Sequence, residues 1–170
     1  EQLNLDIRNR VAIGDMLRRR ARSDGPNEAI VEYVEGERRA TSYVTLNSQA
    51  NKIARGLRAN GLRQGDRLAL VAGNSSHFLA VMFACFKAGI VVVPINYLQS
   101  PDDVRFNFEH GEVRAVIYDS ELEALCCECS QGIDAIGFKL SLGDKTKNCD
   151  ATLSEMLAYQ MRQHAHALSV

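Results

Sequence analysis

The middle of the chain constrains the fold most strongly, because strand, helix and strand patterns follow one another there without a gap. Leu68–Ala72 is short and almost wholly apolar, and residues 78–87 are apolar on nearly every face, as in a helix packed on both sides. Gly89 ends that helix pattern, and a β-branched strand, Ile90–Val93, follows and is closed by Pro94. Because parallel strands are covered on both faces, such continuous apolar runs predict two buried strands of a parallel sheet.

The same strand pattern recurs along the chain. Strand-like segments begin near Leu68, Ile90, Ala115 and Ile136, at intervals of roughly 22 residues, the length of one strand, loop and short helix. Right-handed crossovers then place helices on both faces of the sheet. The predicted fold class is α/β, a doubly wound, flavodoxin-like parallel sheet. The segment Ile136–Leu142 alternates between apolar and other residues, so we expect this strand near a sheet edge.

Capping and turn residues predict the other elements. Ser42 and Gly61 bound one helix as N-cap and C-terminal glycine, and Pro101 opens another at its first turn. Thr152 and Glu155 form a capping box. The resulting elements are an N-terminal helix at Val11–Arg22, a hairpin of Ala29–Val34 and Arg38–Ser42, a helix from Ser42 to Gly61, a helix from Pro101 to near Gly111, a helix at Leu122–Cys129 and a last helix to about Gln163.

Length and charge exclude several classes of protein. The 170 residues suit a single domain, whose core we expect at about residues 11–159, with 160–170 as a tail. A net charge of −1 argues against a general nucleic-acid or membrane-surface binder. Neither a membrane span nor a signal peptide is evident, so a cytoplasmic protein is predicted.

Five cysteines do not form a recognisable metal site in the sequence. A structural zinc site needs four ligands, usually in two separated pairs, and the cluster Cys126-Cys127-Glu128-Cys129 has no second pair. On a helix, Cys126 and Cys129 share a face while Cys127 points elsewhere. We interpret them as reduced helix thiols, Cys85 as a small buried hydrophobe, and His164 and His166 as part of a solvated tail; no metal is predicted.

Several ordered motifs resemble one enzyme family. The first motif is G-D-R followed by four apolar residues. The second is G-N-S, and the third is the segment Phe86–Asn96, FKAGIVVVPIN. Together they resemble the N-terminal subdomain of the adenylate-forming acyl-CoA synthetases, the AMP-dependent synthetase and ligase superfamily. Ser42-Tyr43-Val44-Thr45-Leu46 is similar to the family's first core motif, although Thr45 stands where an acidic residue is usual. The resemblance extends from about Ile13 to about Tyr159.

The resemblance implies an AMP-forming carboxylate–CoA ligase. Such an enzyme uses ATP and Mg²⁺ to convert a fatty acid or other carboxylic acid to an acyl-adenylate, and then passes the acyl group to coenzyme A. The family's Ser/Thr/Gly-rich phosphate loop, its later motifs and its catalytic lysine have no counterpart in these 170 residues. We therefore expect a scaffold fragment of a longer enzyme, with no catalytic residue, no bound cofactor and no activity of its own.

Site predictions concentrate on loops that follow strands. Gly73–Ser76 ends a predicted parallel strand, where open α/β sheets place ligands. The resemblance assigns supporting, non-catalytic roles to Lys87, Gly89, Pro94, Asn96 and Tyr97. Arg105 is a candidate contact for the nucleotide of coenzyme A. The alternative interpretation is an ordinary surface arginine. His77 is a possible acid–base group, but a capping or packing role fits it better.

The expected partners follow from the same interpretation. They are the remaining part of the same enzyme chain and a carboxylic acid, without nucleic acid, and self-association through exposed apolar surface is a further expectation. An adenylation domain that loads a carrier protein remains open. The rival class is a stand-alone flavodoxin-like interaction or ligand-binding module, since no catalytic motif is present. A nucleotide-binding response domain lacks the acidic cluster needed for magnesium.

Overall fold

The computed structural model describes residues 12–158, and its elements follow the predicted order. Prolines, glycines and capping residues separate them as the sequence indicates. The elements are α1 (Ile13–Ser23), β1 (Glu28–Val34), β2 (Glu37–Ser42), α2 (Tyr43–Ala59), β3 (Arg67–Val71), α3 (Ser76–Ala88), β4 (Val91–Pro94), α4 (Pro101–His110), β5 (Val113–Tyr118), a 3₁₀ turn (Ser120–Leu122), α5 (Glu123–Ser130), β6 (Phe138–Ser141) and β7 (Ala151–Thr152).

The strands form two sheets. β1 and β2 make the antiparallel hairpin predicted from the sequence, with the turn at Glu35 and Gly36. The other strands form a five-stranded sheet in the order β4-β3-β5-β6-β7, in which every pair is parallel. This order, in which the first strand lies between the second and the third, is that of a flavodoxin-like sheet. The predicted α/β fold class is confirmed.

Helices cover both faces of this sheet. On one face, α1, α2 and α3 pack together over a core that includes Leu68, Leu70 and Ile117. On the other face, α4 and α5 pack over Val71 and Tyr118. Successive residues of β3 enter opposite cores, as the period of two in a strand requires. Both faces of the central strands are therefore buried, which explains their continuous apolar sequence.

The prediction that the strand beginning near Ile90 is buried was wrong. Within residues 12–158, β4 lies at the edge of the sheet and pairs with β3 alone, and Val91 is 50% exposed. β-branched residues favour any strand, whether it has one neighbour or two. The valine run therefore indicated a strand but not its position. At the opposite edge, β6 is followed by the two-residue strand β7, which the sequence analysis did not anticipate.

Local capping chemistry is confirmed at several helix ends. The Ser42 hydroxyl accepts the Thr45 amide of α2, and Gly89 ends α3 with a left-handed φ of 71°. In the capping box, the Glu155 amide donates to Thr152 Oγ1 at 3.1 Å and the Thr152 amide donates to Glu155 at 2.8 Å. This box opens a helix at 153–158; its predicted continuation, the start of α1 near Val11 and the histidine tail lie outside the described residues. Within residues 12–158, no helix has the length and apolarity that a membrane crossing requires.

Candidate functional site

Two predicted loops meet at the carboxyl end of the sheet and line one groove. One loop follows β3 and the other follows β4, and parallel pairing of these strands places both loop starts at the same rim. The groove between them has a volume of about 360 Å³. Its lining residues are Ala72, Gly73, Asn74, Phe78, Pro94, Ile95, Asn96, Tyr97 and Leu98. The structure thus brings together Pro94, Asn96 and Tyr97 with the Gly73–Ser76 loop.

The β1–β2 hairpin holds the first loop in place. The Glu32 carboxylate accepts the Ser76 amide at 2.9 Å and the Ser76 hydroxyl at 2.6 Å. The Ser75 hydroxyl accepts the Phe78 amide at 3.1 Å, so two of the free N–H groups at the start of α3 are satisfied. Both Ser76 hydrogen bonds hold the pKa of Glu32 below its ordinary value. The negative carboxylate also suits the positive end of the helix dipole.

Asp119 fixes the same loop from the other side. It directly follows β5, and its carboxylate accepts the Gly73 amide at 2.8 Å. The Asp119 amide in turn donates to the Val71 carbonyl, so the two strand ends are joined by their backbones as well. Sequence reasoning missed both Glu32 and Asp119. A polar residue directly after a buried strand was the only available signal for Asp119, and an inward-facing glutamate in a hairpin strand has no such signal.

The second loop is held by its own residues and by the neighbouring strand, because the Ile95 amide donates to the Leu70 carbonyl of β3 at 3.0 Å. Asn96 Oδ1 accepts the Leu98 amide at 3.0 Å, and the Ser100 hydroxyl caps α4 by accepting the Asp103 amide at 3.2 Å. Tyr97 is 39% exposed and Leu98 is 79% exposed. This wall of the groove therefore presents apolar side chains to solvent, while the first wall is fixed by neighbouring elements.

Lys87 and Gly89 lie away from the groove, although they belong to the same sequence motif. Lys87 is 11 residues after Ser76, which corresponds to about 16 Å along the helix axis. Its ammonium donates to Asn47 Oδ1 of α2 at 2.8 Å, and desolvation and then Arg18 lower its pKa. The Gly89 carbonyl accepts the Gly65 amide at 2.9 Å. Both residues support the junction of α3 with its neighbours.

Arg105 forms contacts on the face of the sheet that α4 and α5 cover. Its guanidinium donates to the Gln131 carbonyl at 2.8 Å and pairs with Glu109 at 2.9 Å. The bond to Gln131 joins α4 to the end of α5, and the pair with Glu109 lies within α4. His77 is exposed at the start of α3, beside the fixed loop. Neither residue lines the groove.

The groove does not fit a triphosphate or a magnesium ion by its own residues. No charged side chain is among its lining residues, and the nearby Asp119 carboxylate is committed to the Gly73 amide. Within residues 12–158, no three His, Cys, Asp or Glu side chains are grouped to hold a metal ion. A phosphate site needs backbone amides and cations directed at the ligand, so no catalytic step is assigned to these residues.

The cysteines are all free thiols with different environments. Cys85, Cys126 and Cys129 are buried, whereas Cys127 and Cys149 are partly exposed. The shared buried face of Cys126 and Cys129 on α5 is as predicted. Burial raises the pKa of Cys85 and of Cys126 to about 12, which keeps these two thiols protonated and unreactive.

The fold and rim groove define a doubly wound α/β domain that places loops at the carboxyl ends of its strands. Comparison with known proteins gives the family: the model of the AMP-binding enzymes matches residues 17–164. The chain belongs to this family of AMP-binding enzymes, so the resemblance noted in the sequence is confirmed.

Three similar proteins illustrate the relationship. A medium-chain-fatty-acid–CoA ligase of Ectopseudomonas oleovorans is 25% identical over 154 residues, which are 91% of this chain and 28% of the relative. The fatty acid–[acyl-carrier-protein] ligase ScoC of Streptomyces coeruleorubidus is 33% identical over 85 residues, 50% of this chain and 16% of the relative. The coronafacic acid ligase of Pectobacterium brasiliense superposes with a TM-score of 0.77 at 21% identity, covering 88% of this chain and 30% of that one. The chain thus spans less than a third of each relative.

Proposed function

We propose that this chain is the N-terminal part of an ATP-dependent, AMP-forming acyl-CoA synthetase. The observation that carries the proposal is the family match over residues 17–164, together with relatives that are named as fatty-acid ligases. In this proposal the whole enzyme is cytoplasmic and converts a carboxylic acid to an acyl-adenylate with ATP and Mg²⁺, and the acyl group then moves to coenzyme A. ATP, Mg²⁺ and coenzyme A supply the chemistry. The residues of this chain position the loops around the place where it occurs.

The contribution of this chain is a rigid rim. Glu32 and Asp119 hold the Gly73–Ser76 loop from two sides, and Pro94, Asn96 and Tyr97 form the opposite wall of the groove. No charged side chain of residues 12–158 lines this groove, and in this proposal the phosphate and metal contacts come from other parts of the enzyme. Lys87 and Gly89 stabilise α3 behind the rim, and Arg105 remains a candidate contact for the coenzyme A nucleotide.

The first test is to sequence the transcript beyond Val170. We expect a Ser/Thr/Gly-rich loop that ends in Pro-Lys-Gly within the next few dozen codons. The extended protein should then release pyrophosphate when ATP, Mg²⁺ and a fatty acid are supplied, and this chain by itself should release none. A stop codon directly after Val170 would contradict the proposal and favour the interaction module.

The identity of the acyl acceptor needs a separate measurement. One relative of this chain is a ligase for coenzyme A and another is named as a ligase for acyl-carrier protein. We propose coenzyme A as the acceptor. Thiol consumption by the extended enzyme with coenzyme A should exceed that with a carrier protein. Equal pyrophosphate release with transfer only to the carrier protein would instead assign a loading domain.

Self-association is part of the proposal for the chain on its own. Tyr33 is 71% exposed on the hairpin and Leu98 is 79% exposed at the groove. Contiguous exposed apolar surface marks interaction sites, and we propose that these two side chains belong to such surface. Sedimentation velocity over a range of concentrations should show reversible dimers that the double change Tyr33→Ser and Leu98→Ser weakens. A monomer at all concentrations that binds no apolar dye would contradict this expectation.

A further inference from the structure

The cysteines on and beside α5 have no part in the proposed enzyme, yet two of them differ from the rest. Cys127 and Cys149 are partly exposed, while the other three thiols are buried. Cys127 lies in α5, and Cys149 lies in the loop between β6 and β7. Only a thiol that solvent reaches can exchange with a reagent in solution, so these two deserve separate consideration.

The loop that carries Cys149 is docked on one flank of α5. The Asn148 amide donates to the Glu123 carboxylate at 2.6 Å, and hydrogen bonds from Asn148 and Thr146 hold the pKa of Glu123 below its ordinary value. Cys127 follows Glu123 by four residues in the same helix, which places both side chains on one flank, one turn apart. The flank that presents Cys127 is therefore the flank that meets the loop.

A second contact joins the same two regions through the sheet. Tyr118 at the end of β5 shares a hydrogen bond with Thr146 Oγ1 at 3.1 Å, and the Thr146 amide donates to Cys149 Sγ at 3.3 Å. Burial raises the pKa of Tyr118 to about 12, and the thiols of Cys149 and Cys127 add to that effect from nearby. The hydrogen bonds of Thr146 therefore join the end of β5 to the segment that carries Cys149.

We propose that Cys127 and Cys149 form a reversible intrachain disulfide that fixes the β6–β7 loop to α5. Cys127 lies on the helix flank where Glu123 accepts the Asn148 amide, Asn148 directly precedes Cys149, and Tyr118 holds Thr146 of the same loop. Cys149 Sγ accepts the Thr146 amide at 3.3 Å and its thiol donates to the Thr146 carbonyl at 3.4 Å, so its position in the loop is defined. The buried thiols Cys126 and Cys129 face the core under α5 and are excluded from the exchange.

A low-molecular-weight disulfide such as oxidised glutathione is the oxidant. The Cys149 thiolate attacks one sulfur of oxidised glutathione, and a glutathione thiolate leaves as a mixed disulfide forms. The Cys127 thiolate then attacks Cys149 Sγ in that mixed disulfide, and the second glutathione thiolate leaves. The two protein thiols lose two electrons and two protons, and one glutathione disulfide becomes two glutathione thiols.

Peptide mapping of the folded protein tests the proposal directly. The protein is treated with oxidised glutathione, remaining thiols are alkylated after unfolding, and the digest is analysed by mass spectrometry. We expect the intact chain to lose two hydrogen atoms and one peptide pair to link Cys127 with Cys149. Dithiothreitol should restore both thiols. Cys127→Ser and Cys149→Ser should each abolish the link, and Cys126→Ser should retain it.

Native proteolysis measures the consequence for the loop. Lys145 and Lys147 lie within it, so trypsin cleavage at these residues should slow several-fold after oxidation of the unmodified protein. The rate in Cys127→Ser should not change on oxidation. Isolated glutathione adducts, a link from Cys149 to Cys126 or Cys129, or a link only between two chains would each overturn the proposal. These results are independent of whether the extended enzyme makes acyl-CoA.

Discussion

The two walls of the rim groove differ in how they are held. The Gly73–Ser76 wall is fixed by Glu32 from the hairpin and by Asp119 from β5, both far away in sequence. The wall that carries Tyr97 and Leu98 is joined to β3 by the backbone hydrogen bond from Ile95 to the Leu70 carbonyl, and its side-chain hydrogen bonds are local. Local stability varies in this way within one domain. Elements that must move or accept a partner are usually those with the lowest local stability. We therefore expect a rigid wall and a compliant wall on one groove.

The largest effect should come from breaking the hairpin contact. Glu32→Ala removes both acceptors of Ser76 and leaves the start of α3 without this partner. Hydrogen bonds to a charged group contribute about 2 kcal/mol, so the free energy of unfolding should fall by that amount in urea titrations. Glu28→Ala is the matched control, because Glu28 forms an exposed ion pair with Arg38 that solvent screens, so its loss should cost much less. Equal losses in the two variants would remove the distinction between the walls.

Acidification should weaken the same contact to a smaller extent. The Ser76 hydrogen bonds lower the pKa of Glu32 in the folded state from its ordinary value of 4.5. A lowered folded-state pKa gives a stabilising contribution that is present above the unfolded value and is lost as pH falls through the folded value. The difference in urea midpoint between the original protein and Glu32→Gln should therefore shrink below about pH 4.5. A difference that is constant from neutral pH to pH 3.5 would show that the Glu32 charge is not involved.

The hydrogen bond from the Gly73 amide to Asp119, the second contact that fixes the rigid wall, should have an intermediate effect on stability. Asp119→Ala removes the acceptor of the Gly73 amide and should cost about 1 kcal/mol. Asp119→Asn retains a carbonyl acceptor and should recover most of this loss. Hydrogen exchange at Gly73 should accelerate in the alanine variant and remain slow in the asparagine variant. Unchanged exchange in both would show that the Val71 backbone contact alone holds the loop.

The compliant wall should respond least. Asn96→Ala removes the side-chain acceptor of the Leu98 amide, an exposed contact worth about 0.5 kcal/mol. Hydrogen exchange should accelerate at Leu98 and not at Gly73. If Asn96→Ala destabilised the protein as much as Glu32→Ala, the second wall would be as strongly coupled to the fold as the first.

Local signals explain which elements were predicted correctly. Ser42, Gly89 and the Thr152–Glu155 box act within one helical turn, so the residues that cause each helix end are adjacent in sequence. The strands β3 and β5 are central, and their uninterrupted apolar residues reflect burial on both faces. The meeting of the two rim loops also followed from parallel pairing, because parallel strands end at the same edge of the sheet.

The contacts that distinguish the two walls were not predictable in this way. Glu32 and Ser76 are 44 residues apart, and Gly73 and Asp119 are 46 apart. Nothing in either local segment specifies such a partner, because the approach depends on where the hairpin and β5 lie in the assembled sheet. The edge position of β4 has the same origin, since valine-rich strands occur with one neighbour or with two.

The amino-acid sequence alone determined the family, the order of the helices and of every described strand except β7, the parallel α/β architecture and the loops at its rim. These follow from hydrophobic periodicity, capping chemistry and motif order, all of which act over short stretches of chain. The tertiary structure decided that Glu32 and Asp119 fix one loop, that Lys87 and Gly89 lie behind the groove, and that Glu123 of α5 meets the loop of Cys149. These are long-range contacts, and they exist only once packing of the helices and strands has brought distant residues together.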